Sequence, residues 1–295
     1  MDKYVKKENT DIDRRDFVAS AAGLATVFTG IGSAYAGGHN QRKINFSEAD
    51  KAPRPVREGS QILITGANRG LGYEFTRQYA ELGAKIIATA RKPNKADALN
   101  LLAENNSNIK VEKLDVTDHE NIIALAKKYV DIPIDILLNN AGIGGGVENQ
   151  LFGKMDYETF DQVMAVNVKG PIKMCEEFRK NVEASELKKM ITVSSSQGSI
   201  SSVTSPMLYW YRASKSALNM IMANLAYQVQ RKKIIVGLVT PGATATDFIP
   251  PSFRKAIRNI QTPEEATADM MRNIERFTLE TSGTFYDYDG GIVPW

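Results

Sequence analysis

The chain has 295 residues, and the portion from about Ser60 onward has the length of one large domain with a single core. Its 37 Lys and Arg against 34 Asp and Glu give a formal net charge of +3, with no basic stripe of the kind that binds nucleic acid. One cysteine, Cys175, excludes an internal disulfide, and the two histidines, His39 and a solvated His119 at a helix start, suggest no metal site.

Residues 1–36 read as an export signal. A charged lead ends in Asp13-Arg14-Arg15-Asp16-Phe17-Val18, and a moderately apolar run continues to Ala36. Ala34-Tyr35-Ala36 carries the small residues of a signal-peptidase site, so cleavage is expected after Ala36. The paired arginines resemble a bacterial twin-arginine signal, although Asp13 replaces the usual Ser or Thr and Ala19 follows Val18. This implies passage through the twin-arginine export machinery to the periplasm or beyond, with no stable membrane span after cleavage. The alternatives are an uncleaved signal acting as a membrane anchor and a disordered tail. Residues 37–59 are polar, are interrupted by Pro53 and Pro55, and predict a flexible tether.

The next elements set a βα rhythm. Gln61 to Thr65 predicts a strand, Gly66-Ala67-Asn68-Arg69-Gly70-Leu71-Gly72 a turn, and a helix follows to Leu82. Glycines there let the backbone approach a pyrophosphate, while the helix start presents free N–H groups. A second strand, Lys85 to Ala90, ends without the acid that commonly holds the ribose hydroxyls of NAD. Arg91 follows instead, and with Arg69 it can clamp a 2′-phosphate, so NADP is favoured over NAD. Ile109 to Leu114 predicts a third strand ending at Asp115 and Val116, followed by a helix from about Asp118 to Val130. Asp135 to Leu138 predicts a fourth, ending in Asn139-Asn140-Ala141-Gly142. Alternating strands and helices of this length imply a single-domain α/β fold, a doubly wound parallel sheet of the Rossmann type.

Further along, Tyr211-Arg212-Ala213-Ser214-Lys215 lies on a predicted helix. Four residues apart, the phenol and the ammonium share one face, where a positive charge favours the phenolate and makes Tyr211 a candidate general acid and base. Tyr209, six residues from Lys215, has the poorer register.

On these residues the chain resembles the short-chain dehydrogenase/reductase family. The cofactor turn Thr65 to Gly72, the motif Asn140-Ala141-Gly142 and the pair Tyr211-x-x-x-Lys215 occur in the family's order. The match extends through Asn167, the run Ser194 to Ser199, and Pro241-Gly242 with Thr246. The ending Gly283 to Gly290, with Pro294-Trp295, is similar to the carbonyl-reductase and C-factor-like branch. The resemblance implies Tyr211 as proton donor or base, Lys215 lowering its pKa and binding the nicotinamide ribose, and Ser195 on the substrate oxygen. Ser195 is chosen over Ser194 and Ser196 because Gly198 follows three residues later. Asn167 would hold a helix irregularity and a water. Asp115 and Val116 would flank the adenine, Asn140 and Ala141 the adenosine ribose, and Pro241, Gly242 and Thr246 the nicotinamide end.

The resemblance therefore implies an NADP-dependent oxidoreductase acting on a small-molecule carbonyl or secondary alcohol. A second reading is an NADP-binding signalling protein of C-factor type with little turnover. The gap from Ser195 to Tyr211 is longer than usual and places an added loop, with Ser201, Ser202, Thr204, Pro206 and Met207, at the substrate mouth. Phe248 to Phe253 would form a lid, whose apolar content suggests an apolar substrate. Predicted helices at Asp156 to Ala184 and Tyr209 to Arg231 are those this family often pairs, so a homo-oligomer, dimer or tetramer, is one expectation, and a monomer, as also occurs in the branch it resembles, is the other.

Overall fold

A computed structural model of the chain describes residues 46–255 and 257–295; the expected export signal lies outside the described residues. The strands are β1 (Gln61–Ile64), β2 (Lys85–Ala90), β3 (Ile109–Lys113), β4 (Ile136–Asn139), β5 (Lys189–Val193), β6 (Ile235–Val239) and β7 (Phe285–Tyr286). They form one sheet in the order β3-β2-β1-β4-β5-β6-β7. Every pairing is parallel, with Ile62 opposite Ile86 on one side and Ile136 on the other. The helices are α1 (Glu48–Lys51), α2 (Gly70–Glu81), α3 (Asp97–Glu104), α4 (His119–Lys128), α5 (Tyr157–Met164), α6 (Gly170–Ala184), α7 (Tyr209–Val229), α8 (Pro251–Arg254) and α9 (Pro263–Arg276). Among the described residues no helix is long and apolar enough to cross a membrane.

Strands β4, β5 and β6 are buried along their whole length, as continuous apolar runs must be in a parallel sheet covered on both faces. Alternate side chains feed two cores. Ile62, Ile64, Ile86 and Ile136 meet Phe75, Tyr79 and Leu99 on one face, closed by Met270 and Ile274. Leu63, Ile87 and Leu137 meet Ile122, Met174 and Phe178 on the other, together with Leu218 and Met222 of α7. The sheet is therefore doubly wound, as the alternating pattern predicts. Two helix starts are fixed locally by side chains that the sequence places there: Asp118 accepts from Asn121 N at α4, and Thr262 with Glu265 forms a capping box at α9. Such caps contribute about 1 kcal/mol each.

The tether expectation over 37–59 needs correction from Phe46 on. Ser47 caps α1 in a capping box with Asp50, and Phe46 and Val56 pack against the first core. The anchor lies in the domain. Lys189, fully buried at the start of β5, donates to the carbonyls of Arg54 at 2.9 Å, Ile274 at 2.8 Å and Glu275 at 3.3 Å. Asp50 also pairs with Lys233 at 3.1 Å. A polar stretch with two prolines carries no periodicity, so these contacts were not readable from it.

The chain runs outward through β2 and β3 and then returns to β4 on the other side of β1. The strand order reverses between β1 and β4, and ligands in such sheets bind beyond the carboxyl ends at that point. The residues singled out in the sequence gather there.

Candidate active site

Thr65 joins the two strands at the crevice. Its Oγ1 accepts from the backbone N–H groups of Asn140 and Ala141, both at 3.0 Å. Asn140 answers by donating its amide to the carbonyls of Thr65, at 2.9 Å, and Gly66, at 3.2 Å. Its side chain therefore fixes the shape of the glycine turn. Gly66 has φ +68°, and a Cβ on Gly72 would stand 2.2 Å from the Gly66 carbonyl oxygen, so a side chain at Gly72 would break the turn. Asn68 is half-buried, and Leu71 packs onto the first core. Arg69 occupies the N-cap of α2 without a side-chain cap, leaving the helix's first N–H groups for an anion.

Arg91 follows β2 directly, is exposed, and has no ion pair among the described residues. Arg69 instead pairs with Asp247 at 2.5 Å, with both side chains largely exposed. Asp115 accepts from the hydroxyl of Thr117, and Val116 packs on Gly170, where a Cβ would come within 2.9 Å of it. Gly242 has φ +65° and lies under the Tyr288 ring next to Pro241, while Thr246 abuts Gly70.

The long predicted helix breaks where Asn167 lies. Residues Ala165–Lys169 form a π turn, in which one extra residue loosens the ladder, and Gly170 N bonds back to Ala165 O. Asn167 is fully buried. Its Oδ1 accepts from Ile143 N and its Nδ2 donates to Ile143 O, each at 2.9 Å. The second N–H donates to Ser214 Oγ at 3.0 Å. Gly142 sits beside it, where a Cβ would lie 3.4 Å from Asn167 Oδ1 and 3.7 Å from Lys215 Nζ.

The three serines separate by partner. Ser194 is buried and donates to Asn219 Oδ1 at 2.5 Å. Ser195 caps the turn Ser196–Gly198, its Oγ accepting from Gln197 N, and its side chain acts on the phenol of Tyr211. Gly198 makes this approach possible, because a Cβ there would come within 2.8 Å of the α7 backbone at Lys215. Tyr211 is 7% exposed. Tyr209 is 36% exposed and pairs instead with Phe152, ring centroids 6.3 Å apart.

Burial pushes the Tyr211 phenol up to about 12, and the Ser195 hydrogen bond pulls the other way. Lys215, also buried, is pushed down to about 8. Its Nζ donates to Val193 O at 2.9 Å and lies 5.8 Å from the centroid of the Tyr211 ring. In this structure the Lys215 ammonium is directed to the Val193 carbonyl, and the group that lowers the phenol is Ser195.

Several side chains here were not singled out from the sequence. Gln150 is buried at 1% exposure and accepts from Tyr211 N at 2.9 Å. Ser214, inside the Tyr-to-Lys spacing, donates to Tyr211 O at 2.7 Å. Arg212 holds the added loop through Ser205 O at 2.5 Å and the adjacent turn through Gln197 Oε1 at 2.7 Å. The lid segment comes down on this site, with the Phe248 ring 5.0 Å from that of Tyr211. Arg254 fixes the segment through the carbonyls of Thr246 and Ile249, both at 2.9 Å. Cys175 is buried behind β4, where burial pushes its thiol up to about 12, so it is unreactive.

A parallel doubly wound sheet, a glycine turn at the switch point and a buried Tyr211–Lys215 pair with half-buried Ser195 beyond β4 and β5 define a nicotinamide-dependent oxidoreductase fold. The chain belongs to the short chain dehydrogenase family, whose model matches residues 60–256. It is 32% identical over 241 residues to 1-hydroxy-2-glutathionyl-2-methyl-3-butene dehydrogenase of Rhodococcus sp. (strain AD45), covering 80% of this chain and 100% of that protein. The C-signal of Myxococcus xanthus is 30% identical over 172 residues, 58% of this chain and 99% of that protein. The structure of NADPH-bound carbonyl reductase from chicken fatty liver superposes with a TM-score of 0.73 at 25% identity, covering 81% of this chain and 100% of that one.

Proposed function

We propose that the protein reduces a carbonyl, or in reverse oxidises a secondary alcohol, with NADP as cofactor and Tyr211 as the proton-transfer group. The observation that carries this is the buried phenol of Tyr211 in one cleft with Ser195, which acts to lower its pKa, and with Lys215, whose Nζ lies 5.8 Å from its ring centroid. The glycine turn and uncapped α2 start fit the pyrophosphate. Arg91, in place of the usual acid, and Arg69 favour the 2′-phosphate, and the chicken carbonyl reductase is an NADPH complex. In this reading Asp115 and Val116 flank the adenine, Asn140 and Ala141 line the adenosine ribose, and Lys215 holds the nicotinamide ribose. Pro241, Gly242 and Thr246 meet the nicotinamide end.

When bound, NADPH supplies the hydride. Tyr211 gives its proton to the carbonyl oxygen, and Ser195 donates a hydrogen bond to the same oxygen as negative charge develops there. Burial keeps the phenol protonated at neutral pH, which suits an acid in the reductive direction. Exposed Phe152, Met207 and Phe248 favour an apolar substrate.

The cofactor claim is tested by calorimetric titration with NADPH and NADH, alongside Arg91→Asp. Preference for NADPH that disappears in the variant supports the reading, and equal affinity in both proteins overturns it. Tight NADPH binding with no reduction across a carbonyl panel would return the C-factor-like signalling reading.

A further inference from the structure

The backbone of Tyr211 is held at both ends by side-chain amides that grip one loop. On the carbonyl side the chain of contacts runs from Tyr211 O to Ser214 Oγ to Asn167 Nδ2, and Asn167 clamps the N–H and C=O of Ile143. On the N–H side Gln150 does the corresponding work. Its Oε1 accepts from Tyr211 N, while its Nε2 donates to Gly144 O at 2.7 Å and Gly146 O at 2.6 Å. Both amides thus couple the loop over 143–146 to the residue that moves the proton.

Local structure explains why a distant residue is needed. Tyr211 is the third residue of α7, so its N–H is one of the helix's orphan donors. The N-cap is Leu208, with φ +52° and no side-chain oxygen to offer. That donor is buried, so it needs a partner from within the protein. Gln150 supplies the missing cap from 61 positions away. Gly145 and Gly146 have φ +79° and +74°, and a Cβ on Gly145 would stand 3.3 Å from Gln150 Nε2, so the loop wraps closely on the amide.

We propose that Gln150 is a positioning residue for the reaction: it sets the height of Tyr211 at the start of α7 and fixes the loop that borders the substrate. This rests on the role of Tyr211 proposed above. The two halves of the amide act separately. Gln150→Leu removes both. Gln150→Glu, as a carboxylate, keeps the acceptor for Tyr211 N but loses the donors to Gly144 and Gly146.

The test uses the full chain with NADPH, para-nitrobenzaldehyde as probe, and Tyr211→Phe as reference. Gln150→Leu is expected to lower kcat about ten- to a hundredfold with NADPH affinity unchanged, the range expected of small misplacements of a reacting group. Gln150→Glu is expected to keep most of kcat but raise KM, and the rise should shrink at acid pH, where the protonated carboxyl recovers one donor. A purely structural role would lower Tm in both without splitting KM from kcat or adding a pH dependence, and that result overturns the proposal. Wild-type kinetics in Gln150→Leu beside an inactive Tyr211→Phe overturns it alone, whereas an active Tyr211→Phe overturns the parent reading. Hydrogen exchange needs no turnover: the Tyr211 amide should be protected in wild type and Gln150→Glu and exchange at least about tenfold faster in Gln150→Leu. Equal exchange in all three contradicts the proposal.

Discussion

The ring of Phe248 lies tilted against that of Tyr211, centroids 5.0 Å apart, so the lid residue nearest the site is one of those that dry the phenol. Burial is the main cause of the raised phenol pKa. Phe248→Ala admits water and should therefore move the acid limb of alcohol oxidation to lower pH, with a higher KM for apolar substrates. Phe248→Leu, which keeps an apolar cover, should shift it less. A pH–rate series on the three proteins checks this.

Ser195 acts on the same phenol with the opposite sign, because its hydrogen bond lowers the pKa. Ser195→Ala should move the oxidation limb to higher pH and slow reduction about a hundredfold or more, the usual cost of losing one donor to a developing oxyanion. In the reductive direction the phenol, pushed up to about 12, keeps its proton through neutral pH, while Lys215, pushed down to about 8, loses its own first. Wild-type kcat/KM for reduction should accordingly fall above about pH 8.

Asp247 holds Arg69 by an exposed ion pair that faces the glycine turn. If Arg69 serves the 2′-phosphate, Asp247 competes for it. Exposed pairs contribute at most about 1 kcal/mol, so Asp247→Asn should tighten NADPH binding only about two- to fivefold and leave NADH unchanged. Calorimetry with both cofactors reads the difference.

Lys189 joins the lead-in at Arg54 to the end of α9. Lys189→Met leaves those carbonyls without their donor and should cost about 2–4 kcal/mol, with faster proteolysis near residues 46–59 as an early sign. Thermal and urea melts measure it.

For the export signal, which rests on sequence alone, Arg14→Lys together with Arg15→Lys should keep the protein in the cytoplasm of a host with twin-arginine machinery. Cell fractionation decides.

What was legible in the sequence is what periodicity and turn chemistry write locally. The βα rhythm implied parallel pairing, and the glycine turn marked where the backbone approaches a pyrophosphate; the strand order and the left-handed backbone at Gly66 came from the structure. Gly198 selected Ser195 among three serines for a reason the packing makes plain, since only glycine lets that turn rest on α7. Gln150, Arg212, Ser214 and Lys189 stayed hidden because their work is done across long separations or inside a helix, where no spacing rule marks them. The burial that raises the Tyr211 phenol was not legible for a related reason. Helical spacing brings Lys215 to the same face, but the spacing does not say that its ammonium turns to Val193 O or how thoroughly the phenol is buried.

The most direct test compares wild type and Tyr211→Phe, both saturated with NADPH, in the rate of NADPH oxidation by a panel of aromatic and aliphatic carbonyls. The account predicts that some carbonyl is reduced by the wild type and that the variant binds NADPH as tightly but reacts about a hundred- to ten-thousandfold more slowly. Equal rates in the two proteins would contradict it, because the proton would then come from a group other than Tyr211.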